Sequence, residues 1–201
     1  MKSKKLLAIS GSPRKAATYR ALEIAVEEIR KKGIQVDIWD FVNKKFNLCI
    51  DCGRCLKEES LECVLHDDAI TGWASRFVDY DGYLIASPVY DVNITAQLQG
   101  FFNRMRSNWL LLEKNPYAYS SKMGAAIAVG GSRYGGQELV LNAINNYYLS
   151  LGIKVVSGGP FAYVGAGVWS KDQKAEGVDL DTEGVQSLRA LGASVAKAMQ
   201  E

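Results

Sequence analysis

The sequence predicts a single α/β domain, residues 1–201, built on a doubly wound parallel sheet. Short apolar runs alternate with amphipathic helical segments along the whole chain. The runs at residues 82–87 and 122–129 are mostly apolar, as expected for parallel strands covered by helices on both faces. The intervening segments are long enough for the crossover helices that parallel strands require, and 201 residues hold one such domain with a substantial core.

The first elements form a βα unit followed by a second strand. Residues 4–10 are an apolar run that stops at Gly11-Ser12-Pro13, which predicts a buried strand entering a turn. Apolar side chains at helical spacing over residues 22–29 predict the first helix, with Gly33 as its cap. Apolar and polar side chains then alternate over residues 34–39, which indicates a strand near a sheet edge.

The same alternation continues after a cysteine-bearing loop at residues 46–66. The predicted elements are, in order, a helix at 69–79, a strand at 82–87, a helix at 95–112, a strand at 122–129, a helix at 137–151, a strand at 153–156 and a closing amphipathic helix at 181–200. The sequence contains no internal repeat and no linker that would divide the chain into two domains.

Charge and apolar content argue against several classes of partner. The chain has 24 basic and 22 acidic side chains, and this net charge of +2 offers no broad footprint for nucleic acid. The apolar stretch near the start lasts about five residues before Gly11, which is too short for a signal peptide or a membrane span. We therefore expect a cytoplasmic protein with neither a nucleic-acid nor a membrane partner.

The loop after the first strand, residues 10–18, has the chemistry of a phosphate site. It reads SGSPRKAAT and combines hydroxyls, backbone amides and two cations with a helix N-terminus. The chain contains neither the GxxxxGK[ST] motif of nucleoside triphosphatases nor the GxGxxG dinucleotide motif, since Gly165-Ala166-Gly167 lacks the third glycine. The loop therefore fits FMN, which ends in a monophosphate, better than it fits FAD. The alternative interpretation is that Ser12-Pro13-Arg14 is a plain polar turn.

Three motifs in order then carry a family resemblance. They are GSPRK at residues 11–15, SPVY at residues 87–90 and GGSRYGG at residues 130–136. This set resembles the family of NADPH-dependent FMN reductases and flavodoxin-like iron-sulfur flavoproteins, over nearly the whole chain. The resemblance implies a flavodoxin-like fold, in which a five-stranded parallel sheet of order 2-1-3-4-5 carries helices on both faces.

The resemblance also implies which residues bind FMN. The phosphate loop would contribute Ser10, Ser12, Pro13, Arg14, Lys15 and Thr18, and the loops around the isoalloxazine ring would contribute Pro88, Val89, Tyr90, Asp91, Val92, Gly130, Gly131, Ser132, Tyr134, Gly135 and Gly136. Glycines in these loops let the backbone approach a flat ring closely. Many relatives have glycine and asparagine after the lysine, where this chain has Ala16-Ala17-Thr18. Tyr90 and Tyr134 are either ring-stacking groups or ordinary loop aromatics.

All four cysteines, Cys49, Cys52, Cys55 and Cys63, fall in one loop with the spacing CxxCxxCx7C. Such clustering argues against a disulfide framework. The close spacing of the first three cysteines lets a loop fold around an iron-sulfur cubane. Four thiolates also suit zinc, with His66 three residues after the last cysteine, and a metal-free loop is a third alternative. The family resemblance implies a four-iron four-sulfur cluster (4Fe-4S) ligated by all four cysteines.

Two redox functions from this resemblance and one function of a different class remain open. The first is an oxidoreductase that transfers electrons between FMN and the cluster and links a one-electron carrier such as ferredoxin to an acceptor. The second is an NAD(P)H-dependent FMN or quinone reductase without a cluster, and the third is a non-enzymatic flavin-binding carrier or sensor. The bulky apolar stripe over residues 98–112, together with the resemblance, predicts a homodimer or homotetramer.

Overall fold

The computed structural model describes residues 4–201, so the first three residues of the predicted domain lie outside the described part of the chain. Six parallel strands form one sheet, and their bounds are β1 Lys5–Ser10, β2 Gln35–Asp40, β3 Gly82–Pro88, β4 Met123–Gly130, β5 Lys154–Val155 and β6 Ala166–Trp169. The order across the sheet is β2-β1-β3-β4-β5, and β6 also pairs with β4. This arrangement confirms the predicted doubly wound parallel sheet and its strand order.

Helices cover both faces of this sheet. Their bounds are α1 Ala17–Arg30, α2 Arg54–Lys57, α3 Trp73–Phe77, α4 Ala96–Arg104, α5 Trp109–Lys114, α6 Gln137–Ser150, α7 Lys174–Asp179 and α8 Thr182–Gln200. Buried residues of α1 and α8 pack on one face, and those of α3, α4 and α6 pack on the other. The alternating burial follows from side chains that point to opposite faces along each strand.

The last strand position is divided, which the sequence did not predict. β5 pairs with the start of β4 at Met123 and Gly124, whereas β6 pairs with its end, from Ile127 to Gly130. A short 3-10 turn, Gly159–Phe161, separates the two segments. The predicted strand at 153–156 is therefore only the first part, and Pro160 in the turn has no N–H with which to continue a sheet ladder.

The predicted helix at 95–112 is also divided. α4 ends at Arg104, a 3-10 segment covers Met105–Asn108, and α5 begins at Trp109. Ser107 and Asn108 are buried polar residues in the 3-10 segment, and neither residue type favours a helix interior. Trp109, which was expected on the apolar stripe, is 56% exposed.

Two short helices and one boundary also differ from the sequence-based expectation. α2 and α7 were not predicted, and the helix expected at 69–79 is confined to α3. Glycine at position 72, with φ of +82°, stands immediately before α3 and delays its start. Within residues 4–201, no helix has both the length and the apolar content needed to cross a membrane.

Candidate functional site

Three of the predicted cofactor loops leave the sheet at the same edge. They follow the carboxyl ends of β1, β3 and β4, which are adjacent strands. The backbone N–H of Gly11 donates to the carbonyl of Ala86 at 2.7 Å, and that of Val89 donates to the carbonyl of Val129 at 2.9 Å. In open parallel sheets, ligands bind beyond this edge, near the point where the strand order reverses.

The loop between β1 and α1 presents buried hydroxyls at the start of a helix. Ser10, Ser12 and Thr18 are all buried, and the hydroxyl of Ser10 has no hydrogen-bond partner in the described structure. The Ser12 hydroxyl accepts from the backbone N–H of Arg14 at 3.1 Å. In the part of the chain that the structure describes, no side chain caps the N-terminus of α1 at Ala16. Unpaired N–H groups and hydroxyls at a helix N-terminus form a site for a phosphate.

The two cations of this loop, Arg14 and Lys15, have exposed side chains. One Arg14 guanidinium nitrogen lies 3.5 Å from the hydroxyl of Tyr90, in the loop after β3. The Lys15 amine lies 4.3 Å from the centre of the Tyr19 ring. Both cations are therefore free to turn toward an anion at the loop. Pro13, which follows Ser12 and precedes Arg14, is half-buried.

Thr95 ties this first loop to the start of α4. Its hydroxyl donates to the carbonyl of Gly11 at 2.7 Å and accepts from the backbone N–H of Leu98 at 3.1 Å, so the same side chain caps α4. Gly11 packs so closely that a Cβ there would lie 2.9 Å from the Leu98 side chain. The sequence analysis missed Thr95, although a threonine just before a helix is an ordinary capping signal.

The turn after β3 holds two non-glycine residues in the left-handed region. Tyr90 and Asn93 exchange two backbone hydrogen bonds of 2.9 Å, and between them Asp91 has φ of +47° and Val92 has φ of +62°. Positive φ is uncommon at a β-branched residue such as valine and indicates local strain. The turn exposes Tyr90 and Val92 at the edge where Pro88 and Val89 are half-buried.

The loop between β4 and α6 packs directly on that turn. Gly136 has φ of +100°, and a Cβ there would lie 2.6 Å from a methyl group of Val92. The Gln137 side chain donates to the carbonyl of Ser132 at 2.6 Å and accepts from the backbone N–H of Gly135 at 2.9 Å, which fixes the loop. Only glycine at position 136 permits this approach of the two loops.

β6 also supports the loop between β4 and α6. The Trp169 indole N–H donates to the carbonyl of Gly131 at 2.7 Å, so β6 supports the loop. Trp169 was missed because β6 itself was not predicted. Tyr134 is 94% exposed and makes no contact that would hold its ring in place within the described structure, whereas Gly130 is buried at the end of β4.

The four cysteines line a single small cavity. Cys52 is exposed and Cys49, Cys55 and Cys63 are half-buried. The cavity volume is 30 Å³, which leaves room for one or two water-sized molecules. Burial raises the pKa of the Cys55 thiol, and the nearby thiols of the other three cysteines raise it further. The other three thiols are thus close enough to act electrostatically on Cys55.

The loop as it stands is not a finished metal site. Among residues 4–201, no three His, Cys, Asp or Glu side chains are arranged to hold a metal ion. Gly53 has φ of +68° and precedes α2, so the backbone makes a tight turn between Cys52 and Cys55. The donor set suits a four-thiolate centre in its chemistry, and the thiols would have to move together to form one.

α4 and the 3-10 segment after it hold the base of this cysteine loop. Gly100 lets the loop pack against α4, because a Cβ there would lie 2.6 Å from the Leu48 side chain. One Arg104 guanidinium nitrogen donates to the carbonyl of Asn47 at 2.7 Å and to the Asp68 carboxylate at 2.9 Å. The Ser107 hydroxyl donates to a loop carbonyl at Leu61.

Helical spacing explains part of this arrangement, because positions 100 and 104 lie on one face of α4, and Ser107 follows three residues later in the 3-10 segment. The end of the cysteine loop, around Cys63, is held by a separate set of hydrogen bonds. The Glu62 carboxylate accepts from the backbone N–H groups of Gly72 at 2.8 Å and Ser75 at 2.9 Å, and so holds the residue next to Cys63. The sequence analysis predicted none of these anchors, because their partners lie far apart in the chain.

Comparison with known protein sequences gives consistent matches over most of the chain. The profile of the NADPH-dependent FMN reductase family matches residues 4–167. An iron-sulfur flavoprotein of Methanocaldococcus jannaschii is 38% identical over 186 residues, which cover 92% of this chain and 91% of that protein. An iron-sulfur flavoprotein of Archaeoglobus fulgidus is 38% identical over 185 residues, with coverage of 92% and 91%.

Solved structures with the same architecture are more distant in sequence. A flavodoxin-type WrbA-like protein from Agrobacterium tumefaciens superposes with a TM-score of 0.66 at 17% identity and covers 98% of both chains. A flavodoxin from the domain Archaea gives a TM-score of 0.57 at 15% identity, covering 98% of this chain and 99% of that one. At such identities the likeness establishes the fold, which is flavodoxin-like as the sequence predicted.

Proposed function

The chain belongs to the NADPH-dependent FMN reductase family and is an oxidoreductase, and from this membership we propose that it is a two-centre electron-transfer flavoprotein. In this proposal FMN binds at the three loops on the carboxyl edge of the sheet, and a four-iron four-sulfur cluster binds at the four cysteines. The protein would link a one-electron carrier such as ferredoxin to an acceptor. The cysteine cavity lined by all four thiols is the observation that carries the proposal.

The loop between β1 and α1 supports the FMN part of the proposal. The buried Ser10 hydroxyl without a partner and the uncapped start of α1 fit a phosphate that accepts hydrogen bonds. Ser12, Arg14, Lys15 and Thr18 would complete the phosphate site with a hydroxyl, two cations and a buried side chain. Relatives named as flavoproteins agree with this chemistry.

The other two loops would form the ring site. Glycines at 130, 131, 135 and 136 let backbone amides approach the flat ring, and Gly136 already lets the loop contact Val92 closely. Tyr90 and Tyr134 are exposed at this edge and free to cover a ring face. FMN, when bound, exchanges one or two electrons, and an iron-sulfur cluster exchanges electrons singly.

The cysteine loop supplies the second proposed centre. Four thiols, two cationic side chains and Gly53 surround one cavity, a donor set that matches a cluster and matches the name of the relatives. His66 also lines the cavity, and we place it beside the cluster rather than among its ligands. The protein's role is to position and shield these thiols.

The structure links the two proposed centres through one helix. Thr95 at the start of α4 bonds to the phosphate loop, and Arg104 at its end bonds to the base of the cysteine loop. The rise of a helix places these two positions about 14 Å apart along its axis. A single helix would thus hold the loops of both proposed centres, which supports the proposal that they exchange electrons.

The decisive experiment measures cofactor content after purification without oxygen. We expect one FMN with about four irons and four sulfides per chain, no stoichiometric zinc, and loss of iron in Cys52→Ala. His66→Ala serves as the matched control, since it lines the same cavity and should retain the iron. FMN without iron, or zinc in place of iron, would contradict the cluster.

A reductase without a cluster is the second candidate, and a specific observation favours it. The 30 Å³ cavity and the absence of a ready metal-binding group within residues 4–201 both fit a loop that holds no metal. Anaerobic spectroscopy separates the two functions, because the candidate without a cluster predicts rapid flavin bleaching by NAD(P)H. Reduction by ferredoxin alone would favour the two-centre protein.

A further inference from the structure

Arg104 is a buried cation whose Nε–H has no hydrogen-bond partner in the described structure. Its side chain is 4% exposed, and one terminal nitrogen makes both of its bonds, to the Asn47 carbonyl and the Asp68 carboxylate. In the described structure the Nε–H is buried and has no partner. Buried donors on charged groups are almost always paired, so an unpaired one requires an explanation.

The position of this donor supplies the explanation. Arg104 lines the same cavity as Cys49, Cys52, Cys55 and Cys63. It reaches that cavity from the base of the cysteine loop, because Asn47 lies just before the first cysteine and Asp68 lies after the last. The side chain that closes the loop thus also faces its interior.

The charges around the cavity favour an anionic acceptor. Arg104 and Arg106 both line it, and within the described part of the chain no aspartate or glutamate does. Arg106 is paired with Asp51 at 2.8 Å, and that pair is largely exposed. Asp68 pairs with one terminal nitrogen of Arg104, and the Nε–H remains without a partner in the described structure. Sulfur in its thiolate form is the acceptor that the cavity lining provides.

We propose that the Arg104 Nε–H donates a hydrogen bond to thiolate sulfur of the four-cysteine centre and thereby stabilises that centre and its reduced state. The inference rests on the proposed function insofar as it assigns a metal centre to the four cysteines. Arg104 then has two roles. It holds the two ends of the cysteine loop together through Asn47 and Asp68, and it is a positioning residue for the centre. A charged donor near an iron-sulfur cluster raises its reduction potential, because reduction adds negative charge.

Arg104→Lys isolates the Nε–H. Lysine keeps the positive charge beside Asp68, with its amine at the position of the guanidinium carbon, and a methylene group replaces the nitrogen under test. Arg106→Lys is the matched control, since it lines the same cavity from an exposed position. Arg104→Gln combined with Asp68→Asn is a second variant that removes both buried charges together, so that neither remains unpaired.

The first measurement is the affinity of metal-free protein for Co²⁺, followed by the absorbance of cobalt–thiolate bonds. We expect Arg104→Lys to bind Co²⁺ about tenfold more weakly than the parent, since one charge-assisted hydrogen bond is lost. Arg106→Lys should bind within about twofold of the parent. Equal affinity in the parent and Arg104→Lys, or equal losses in both lysine variants, would overturn the inference.

The second measurement is the reduction potential of anaerobically loaded protein. We expect a lower potential in Arg104→Lys, equivalent to about a tenfold change in the reduced-to-oxidised ratio, and a drop in the same direction in the doubly substituted protein, which also lacks the Nε–H. An unchanged potential in both would overturn the inference. If the parent takes up no iron yet its Co²⁺ affinity still depends on Arg104, the proposed cluster fails while the inference stands. No Co²⁺ binding by the parent would overturn the inference itself.

Discussion

Asp68→Asn is predicted to destabilise the protein strongly, because Asp68 is a buried anion that accepts hydrogen bonds from Arg104 and from two backbone N–H groups. Its side chain is 8% exposed and faces Arg104, which is 4% exposed. One carboxylate oxygen accepts from Arg104 at 2.9 Å and from the backbone N–H of Asn47 at 3.0 Å, and the other accepts from the backbone N–H of Ile70 at 3.3 Å. An asparagine amide has one oxygen and one NH₂ group. In either orientation its NH₂ would face one of these donors, which would then have no acceptor.

The size of the effect follows from this environment. Removing one partner of a buried ion pair costs about 3–5 kcal/mol, because the remaining charge stays buried without compensation. For a chain of this length, that loss corresponds to a drop of about 6–20 °C in the midpoint of thermal unfolding. The matched control is Asp51→Asn, which breaks the exposed pair with Arg106 and should cost about 0.5 kcal/mol or less.

The pH dependence gives the same prediction an independent check. Burial works against the charged carboxylate, but hydrogen bonds from Arg104 and from two backbone N–H groups outweigh it, so the pKa of Asp68 lies below its ordinary value of 3.8. A depressed pKa in the folded state adds stability that is present above pH 3.8 and is lost as the pH falls through the folded value. The difference between parent and Asp68→Asn should therefore shrink in acid.

The assay is thermal unfolding followed by far-ultraviolet circular dichroism from pH 7 downward, with flavin and iron measured in every sample. Cofactor content must be matched, since any ligand bound to the folded state raises its apparent stability. An Asp68→Asn midpoint within about 2 °C of the parent, or equal to that of Asp51→Asn, would refute the account of the loop base.

Three further predictions concern the remaining loops and the assembly. Thr95→Ala, which removes the α4 cap and the bond to the Gly11 carbonyl, should lower the unfolding free energy by about 1–2 kcal/mol in urea titrations, and recovery in Thr95→Ser would confirm the role of the hydroxyl. Gly136→Ala adds a Cβ at positive φ against Val92 and should weaken FMN binding at least tenfold by flavin fluorescence, whereas unchanged affinity would show that the two loops adjust freely. Sedimentation at micromolar concentration should show a dimer or tetramer, with Trp109→Ala shifting it toward monomer, and a monomeric parent would contradict the predicted assembly.

Local sequence pattern was sufficient for most of the fold. The strands at β1, β3 and β4 are continuous apolar runs, and the loops that follow them carry recognisable glycine, serine and proline motifs. β6 was missed because it contains only four residues, two of them alanine and glycine, and follows the interruption at Pro160. Short strands of small residues carry little periodic signal.

The candidate site was predictable only where its residues are close in sequence. The four cysteines were found from their spacing, but Arg104 could not be, because its partners lie 57 and 36 residues away. Gln137 and Trp169, which support the loop after β4, likewise act through backbone carbonyls that sequence spacing does not mark. Long-range anchors to backbone atoms depend on the completed fold.

α4 also limits which insertions and deletions the protein can accept. One added residue between Thr95 and Arg104 would turn every later side chain by about 100° and advance it by about 1.5 Å. Thr95 would still hold the Gly11 carbonyl, but Arg104 would leave Asn47 and Gly100 would no longer face Leu48. The surface loops can vary in length at little cost in stability. The number of residues in α4 is fixed, because Thr95 and Arg104 must both reach their partners.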